Sequence, residues 1–270
     1  GGKIVALTNG TVTALKSGEI TEMGDATVGT MSGGTIVELN DGRVGLVTGG
    51  TISSIVGGEI ENLNGGTVTA MSNGVITEMN NGNIGTVSDS AHIVEMSGGS
   101  ITSMTNGDIE IMNGGEIASM TGGVIDAFNV GGTINSLDDG SIVNFNGGTL
   151  LNWIRGTITN LNSGSLALVQ TNNIITNMLG GIVASMTGGE ITNMSGGTIT
   201  NLSDGIIHAF NTGATISTMA GGKITDFNNG TLTTWTGGEI ENLNSGNIAL
   251  IQSNNKIENI KGGSVTSVSY

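Results

Sequence analysis

Apolar residues fall in this chain with a spacing of eight, and within each eight at two places three residues apart. The stretch 66–81 reads GTVTAMSN GVITEMNN. Numbering the octad from its glycine, position three is Ile, Val or Leu in all 33 octads, from Ile4 to Val265. Position six is apolar in all 33, from Leu7 to Val268. Positions two, four and five are mostly Thr, Glu, Ser, Asn and Ala. Positions seven and eight are turn residues such as Asn-Gly and Ser-Gly.

This pattern opposes a helix, because glycine recurs every eight residues and position three is mostly β-branched. It also opposes a flat strand, in which positions three and six would face opposite sides. If both are buried, the chain must turn between them. The expected architecture is all-β: a repetitive β-solenoid of short strands and corners.

The two apolar slots absorb the residues that would otherwise suggest a ligand groove. All twelve Met, both Trp (Trp153, Trp235) and all four Phe (Phe128, Phe145, Phe210, Phe227) occupy position six. That slot also accepts Leu and Val, so these side chains are expected in the core, where the flexible thioether fills irregular gaps. The remaining aromatic is Tyr270. Position one is Gly in 28 octads. Its exceptions are Ala26, Ala91, Asn173, Ala214 and Asn255, which implies a limit of space or backbone angle there.

A longer period overlies the octad. One residue is added between Ile84 and Ile93, Ile125 and Ile134, Leu166 and Ile175, Ile207 and Ile216, and Ile248 and Ile257. Each insertion follows the last after five octads, while the closest sequence likeness returns after ten. LNSGSLALVQTNN at Leu161 returns as LNSGNIALIQSNN at Leu243, and Trp153 returns as Trp235. On a single-chain coil of three octads, each insertion falls on a different face. Three identical chains wound about one axis would carry it on all faces together, so the rhythm favours an intertwined homotrimeric triple-stranded β-helix. The alternative is a monomeric three-sided parallel β-helix. With one strand spacing per level, the trimer would be roughly 155 Å long and the monomer near 50 Å.

Composition narrows the function classes. Glycine supplies 49 residues and proline none, which excludes collagen. Apolar residues in strict register, 36 % of the chain, argue against disorder. The net charge of −15 opposes binding to nucleic-acid phosphates or anionic membranes. With no Cys, disulfides and thiolate metal sites are excluded. No apolar run is long enough to span a membrane. Residues 1–270 read as one continuous repeat domain, with the 41-residue super-repeat from about residue 84. Opening in repeat register at Gly1–Gly2, it reads as a fragment of a longer chain or a processed one.

Candidate chemistry is sparse. Carboxylate pairs occur at Glu59/Glu61, Glu239/Glu241 and Asp108/Glu110, the raw material of a glycosidase. They lack neighbouring aromatics for stacking sugars and read as a solvated face. His92 and His208 are isolated and expected to be exposed. Turn carboxylates such as Asp138 and Asp139 could bind calcium only weakly. Thr-x-Thr triplets (Thr11/Thr13, Thr67/Thr69, Thr157/Thr159, Thr198/Thr200, Thr231/Thr233) are too few for an ice-matching face. No catalytic, cofactor-binding or metal residue is assigned.

The octad resembles the repeat of triple-stranded β-helices in phage tail needles, though here the order is Gly-x-Ile rather than Val-x-Gly. GGTITNLS at Gly196 and GGEITNMS at Gly188 are similar to Gly-rich repeats in tail-fibre and minor structural proteins of phages infecting Gram-positive bacteria. The resemblance implies a fibre or tailspike shaft in a virion tail, not an enzyme. Its partners would be two further copies of itself and other tail proteins at its ends. It would meet a host receptor only through a tip that this sequence lacks. The alternatives are a cell-surface adhesin or self-assembling extracellular filament and, less favoured, a polysaccharide-degrading tailspike.

Overall fold

In the computed structural model, which describes residues 1–252 and 255–269, the chain is a parallel β-solenoid. Tyr270 and part of the last inserted turn lie outside the described residues. Every described ladder is parallel and joins octads two apart in sequence. Ile4 pairs with Ile20, Ile20 with Ile36, and Ile36 with Ile52. Val12, Val28, Val44 and Ile60 form the second column. A coil is therefore two octads, lengthened by the inserted residue where there is one, as between Ile84 and Ile101.

The expected all-β solenoid is present, but its single-chain coil closes in two octads rather than three. Four inward side chains complete each level. One such level holds Ile36, Leu39, Val44 and Val47, all at most 1 % exposed. The ladders run through positions two, three, five and six and skip position four, as in Lys3, Ile4, Ala6 and Leu7. The strand thus bends at position four, and positions three and six both point inward.

Two compact units divide the chain, Gly1–Gly140 and Ser141–Tyr270. In the first, the Ile4 column and the Val12 column carry seventeen octads. At one strand spacing per coil this is about 40 Å of stacked coils. In the second, one column runs through Ile158, Ile175, Ile191, Ile207, Ile224, Ile240 and Ile257. The other runs through Leu166, Val183, Ile199, Ile216, Leu232, Ile248 and Val265.

The position-six residues are core, as expected. All twelve Met and all four Phe are fully buried, as is Trp235, while Trp153 is 4 % exposed. Phe210 and Phe227, on successive coils, meet edge to face with ring centroids 4.9 Å apart. Each indole N–H is satisfied locally. Trp153 Nε1 donates to the Arg155 carbonyl (3.1 Å) and Trp235 Nε1 to that of Gly237 (2.9 Å).

Two constraints fix glycine at position one. Gly74 has φ +82°, and a Cβ on it would lie 2.7 Å from the Gly58 carbonyl oxygen one coil below. Four of the five exceptions follow inserted residues. At the three whose turns are described, the bend becomes a hydrogen-bonded four-residue turn: Ala91 N–H donates to the Ser88 carbonyl, Asn173 to Gln170 and Ala214 to Asn211. The left-handed angle moves to another residue of the turn, Asp89, Asn172 or Gly213, so Ala or Asn fits at position one.

The two-octad coil also accounts for the long period. Five octads is an odd number, so successive insertions alternate between the two turns of the coil. Identical residues return to the same column only after ten octads, which is five coils. The rhythm that favoured three chains therefore has an explanation within one.

Candidate functional site

Each carboxylate pair singled out in the sequence holds a basic side chain, Arg43, Lys223 or His92, from the preceding coil. Positions two and four of a strand both point outward and straddle position two of the coil below. Arg43 bridges to Glu59 (3.7 Å) and also to Glu61. Lys223 reaches Glu241 (2.7 Å) and Glu239 (3.9 Å). His92 contacts Asp108 through Nδ1 and Glu110 through Nε2 (3.1 Å). In all three, the basic residue and the first carboxylate are ladder partners, one coil apart.

His92 is thus not the exposed, isolated residue expected from sequence. Its side chain is 25 % exposed and wedged between two carboxylates. His208 is more open and pairs with Glu190 (2.9 Å). Among the described residues no group of three or more His, Asp or Glu is arranged to hold a metal ion.

The charge ladder extends at Lys223, Glu239 and Lys256, which alternate in sign up one column. Donating a hydrogen bond to Glu241 raises the pKa of Lys223, and donating one to Glu258 raises that of Lys256. The Lys256 ammonium in turn holds the Glu258 carboxyl below its ordinary value, as Lys3 does for Glu19.

Amide columns line another edge. Asn160 Nδ2 donates to Asn144 (3.0 Å), Asn177 to Asn160 (3.0 Å) and Asn193 to Asn177 (3.3 Å). Their sequence spacing is again one coil, so side-chain hydrogen bonds reinforce the backbone ladder. Of the threonine triplets, Thr198/Thr200 and Thr231/Thr233 share one face, with Thr215 on the coil between them. The turn carboxylate Asp139 has φ +82° and accepts from the N–H of Gly140 (2.9 Å).

One irregular level was not foreseen. Among the described residues, strands 149–153 and 165–169 lie on consecutive coils of one column without a ladder between them, whereas 156–161 and 173–178 on the other column pair normally. A cleft of about 80 Å³ opens there, lined by Leu150, Leu151, Trp153, Leu166, Leu168 and Gln170. Leu151 is 64 % and Leu168 39 % exposed at its lips. The one signal in the sequence is Arg155. Position eight elsewhere in the described chain holds Gly, Asn, Ser or Asp in the regular octads.

Comparison with protein-family models, curated proteins and solved structures finds no match for this chain.

Proposed function

We propose that the chain is a structural protein, the rigid shaft of a phage tail fibre or tailspike that supports host attachment through a tip carried elsewhere. It would act outside the cell, in the virion tail, as a homotrimer joined at its ends to other tail proteins. The observation that carries this reading is the use of the outward chemistry. The carboxylate pairs, both histidines and many asparagines are engaged between neighbouring coils, where they stiffen the stack. Phage origin rests on the resemblance of the octad. The trimer is a proposal about association, since the described ladders all pair strands of one chain.

That self-sufficiency favours a second reading, a cell-surface or secreted filament built from single-chain solenoids. One experiment separates the two. Antibodies against the purified chain are applied to virions and to host cells, and the mass of the chain is measured by light scattering. Tail labelling with a three-chain mass supports the shaft. Labelling of cell surfaces with a one-chain mass overturns it.

A further inference from the structure

The two copies of the ten-octad repeat contain the same tryptophan level in two arrangements. At Trp235 the ladder is closed: Thr231, Leu232, Thr234 and Trp235 pair with Asn247, Ile248, Leu250 and Ile251. The Trp235 carbonyl accepts from the Gln252 backbone N–H (2.8 Å) and from Asn255 Nδ2 (2.8 Å). At Trp153 the backbone bond is replaced. The Trp153 carbonyl accepts from the Gln170 side chain, Nε2, at 3.0 Å. The Gln170 backbone N–H turns instead to Asn173 Oδ1 (2.8 Å). Asn173 is fully buried, and its Nδ2 has no partner.

An orphaned buried amide atom is costly, and the two copies leave a different one unpaired: Nδ2 of Asn173 at the open level, Oδ1 of Asn255 at the closed one. Turning the Asn173 amide over would let Nδ2 reach the Trp153 carbonyl, as Asn255 reaches that of Trp235. The strands would then close and Gln170 would be released. The residues that make the closed level are shared: Leu150 matches Leu232, Trp153 matches Trp235, Gln170 matches Gln252 and Asn173 matches Asn255. The copies differ at Leu151, Asn152, Ile154 and Arg155 against Thr233, Thr234, Thr236 and Gly237, and the largest change in size is at position eight, Arg155 against Gly237. A Cβ on Gly237 would sit 2.6 Å from the Ala220 carbonyl oxygen one coil below. Ser163 and Asn73 occupy the same slot beside intact ladders, so a short side chain is accommodated. Arg155 is the long one.

We propose that the Trp153 level is a two-state latch: the ladder between 149–153 and 165–169 opens and closes, and Arg155 sets the balance toward the open form. Elsewhere in Ser141–Tyr270 the described ladders are closed, so this level gives the stack a point of local compliance.

Hydrogen exchange of the full chain, read residue by residue, tests it. The informative amides are those of Ser165–Gln170 that face Thr149–Trp153, compared with their counterparts in Asn247–Gln252. The latch predicts intermediate protection at Ser165–Gln170, on the order of 100-fold below the second copy yet well above unstructured rates. Arg155→Gly should bring the two copies within roughly tenfold of each other. Gly237→Arg should lower protection in the second copy, and if it fails to fold the Arg155→Gly result decides. Exchange at the unstructured rate would mean a permanently open cleft and would overturn the proposal. Equal protection in the two wild-type copies, or no change in Arg155→Gly, would overturn it as well.

Discussion

Gly74 and Ala91 occupy the same slot on adjacent coils of one column, and the structure assigns opposite preferences to them. Substituting Gly74→Ala places a side chain at φ +82°. Left-handed backbone costs an ordinary residue about 1–2 kcal/mol. The added Cβ would also lie 2.7 Å from the Gly58 carbonyl oxygen and 2.8 Å from that of Gly57, both backbone atoms that cannot rotate aside. Displacing a coil to relieve such overpacking costs typically about 1–3 kcal/mol. The expected loss is therefore about 2–5 kcal/mol. Ala91 follows an inserted residue, its φ is not positive, and its side chain is buried. Ala91→Gly gives up a small apolar contact and adds unfolded-state entropy, for a loss of about 0.5–1 kcal/mol. Urea unfolding with hydrogen exchange at the flanking strands measures both, since a stack of repeats need not melt as one unit. A neutral or stabilising Gly74→Ala would refute the argument that angle and clearance jointly select glycine.

Three further outcomes follow from the packing and the charges. Phe210→Ala removes a fully buried ring and its edge-to-face contact with Phe227, and should cost about 3–5 kcal/mol in the same assay, whereas Met79→Leu should stay below about 1.5 kcal/mol. Asn177→Ala breaks the middle of an amide column and should cost on the order of 1 kcal/mol, with faster exchange in the strands on either side. Because Glu19 and Glu258 have lowered pKa values, their contribution is present above the unfolded carboxylate range and is lost as pH falls through their folded values. Lys223 and Lys256 are raised, so theirs is present below the unfolded lysine value and lost as pH climbs through the folded one. Thermal melts should show a plateau between these limits, and molar salt should flatten both flanks because all four groups are in contact with solvent.

The buried slots were legible in the sequence because burial follows the octad directly, and Met96 or Phe145 needed no knowledge of how octads stack. The size of the coil was harder to read, since an eight-residue period is the same whether two or three octads close a turn. The clue was the return of Trp153 at Trp235 after ten octads rather than five, which requires an even number of faces. The ion clamps were hidden for the same reason. Glu59 and Glu61 are visible as a pair two residues apart, but their partner Arg43 is identified only once two octads are known to make one coil. The gap beside Trp153 depends on which side chain one turn position tolerates, a matter of tenths of an ångström that no periodicity expresses.

The two-octad coil has a consequence for how such a gene can change length. Replication slippage that gains or loses one octad leaves the spacing of partners on either side unchanged, but it turns the downstream residues by half a coil and mismatches the pairs that straddle the junction, as Lys223 and Glu239 would be if the change fell between them. Gain or loss of an octad pair preserves the columns, and of the full ten-octad period preserves the turns as well. The cost of a change in length is therefore paid at the junction: alleles that differ by whole coils keep every outward column continuous there, and those that differ by five coils together should be the least disturbed.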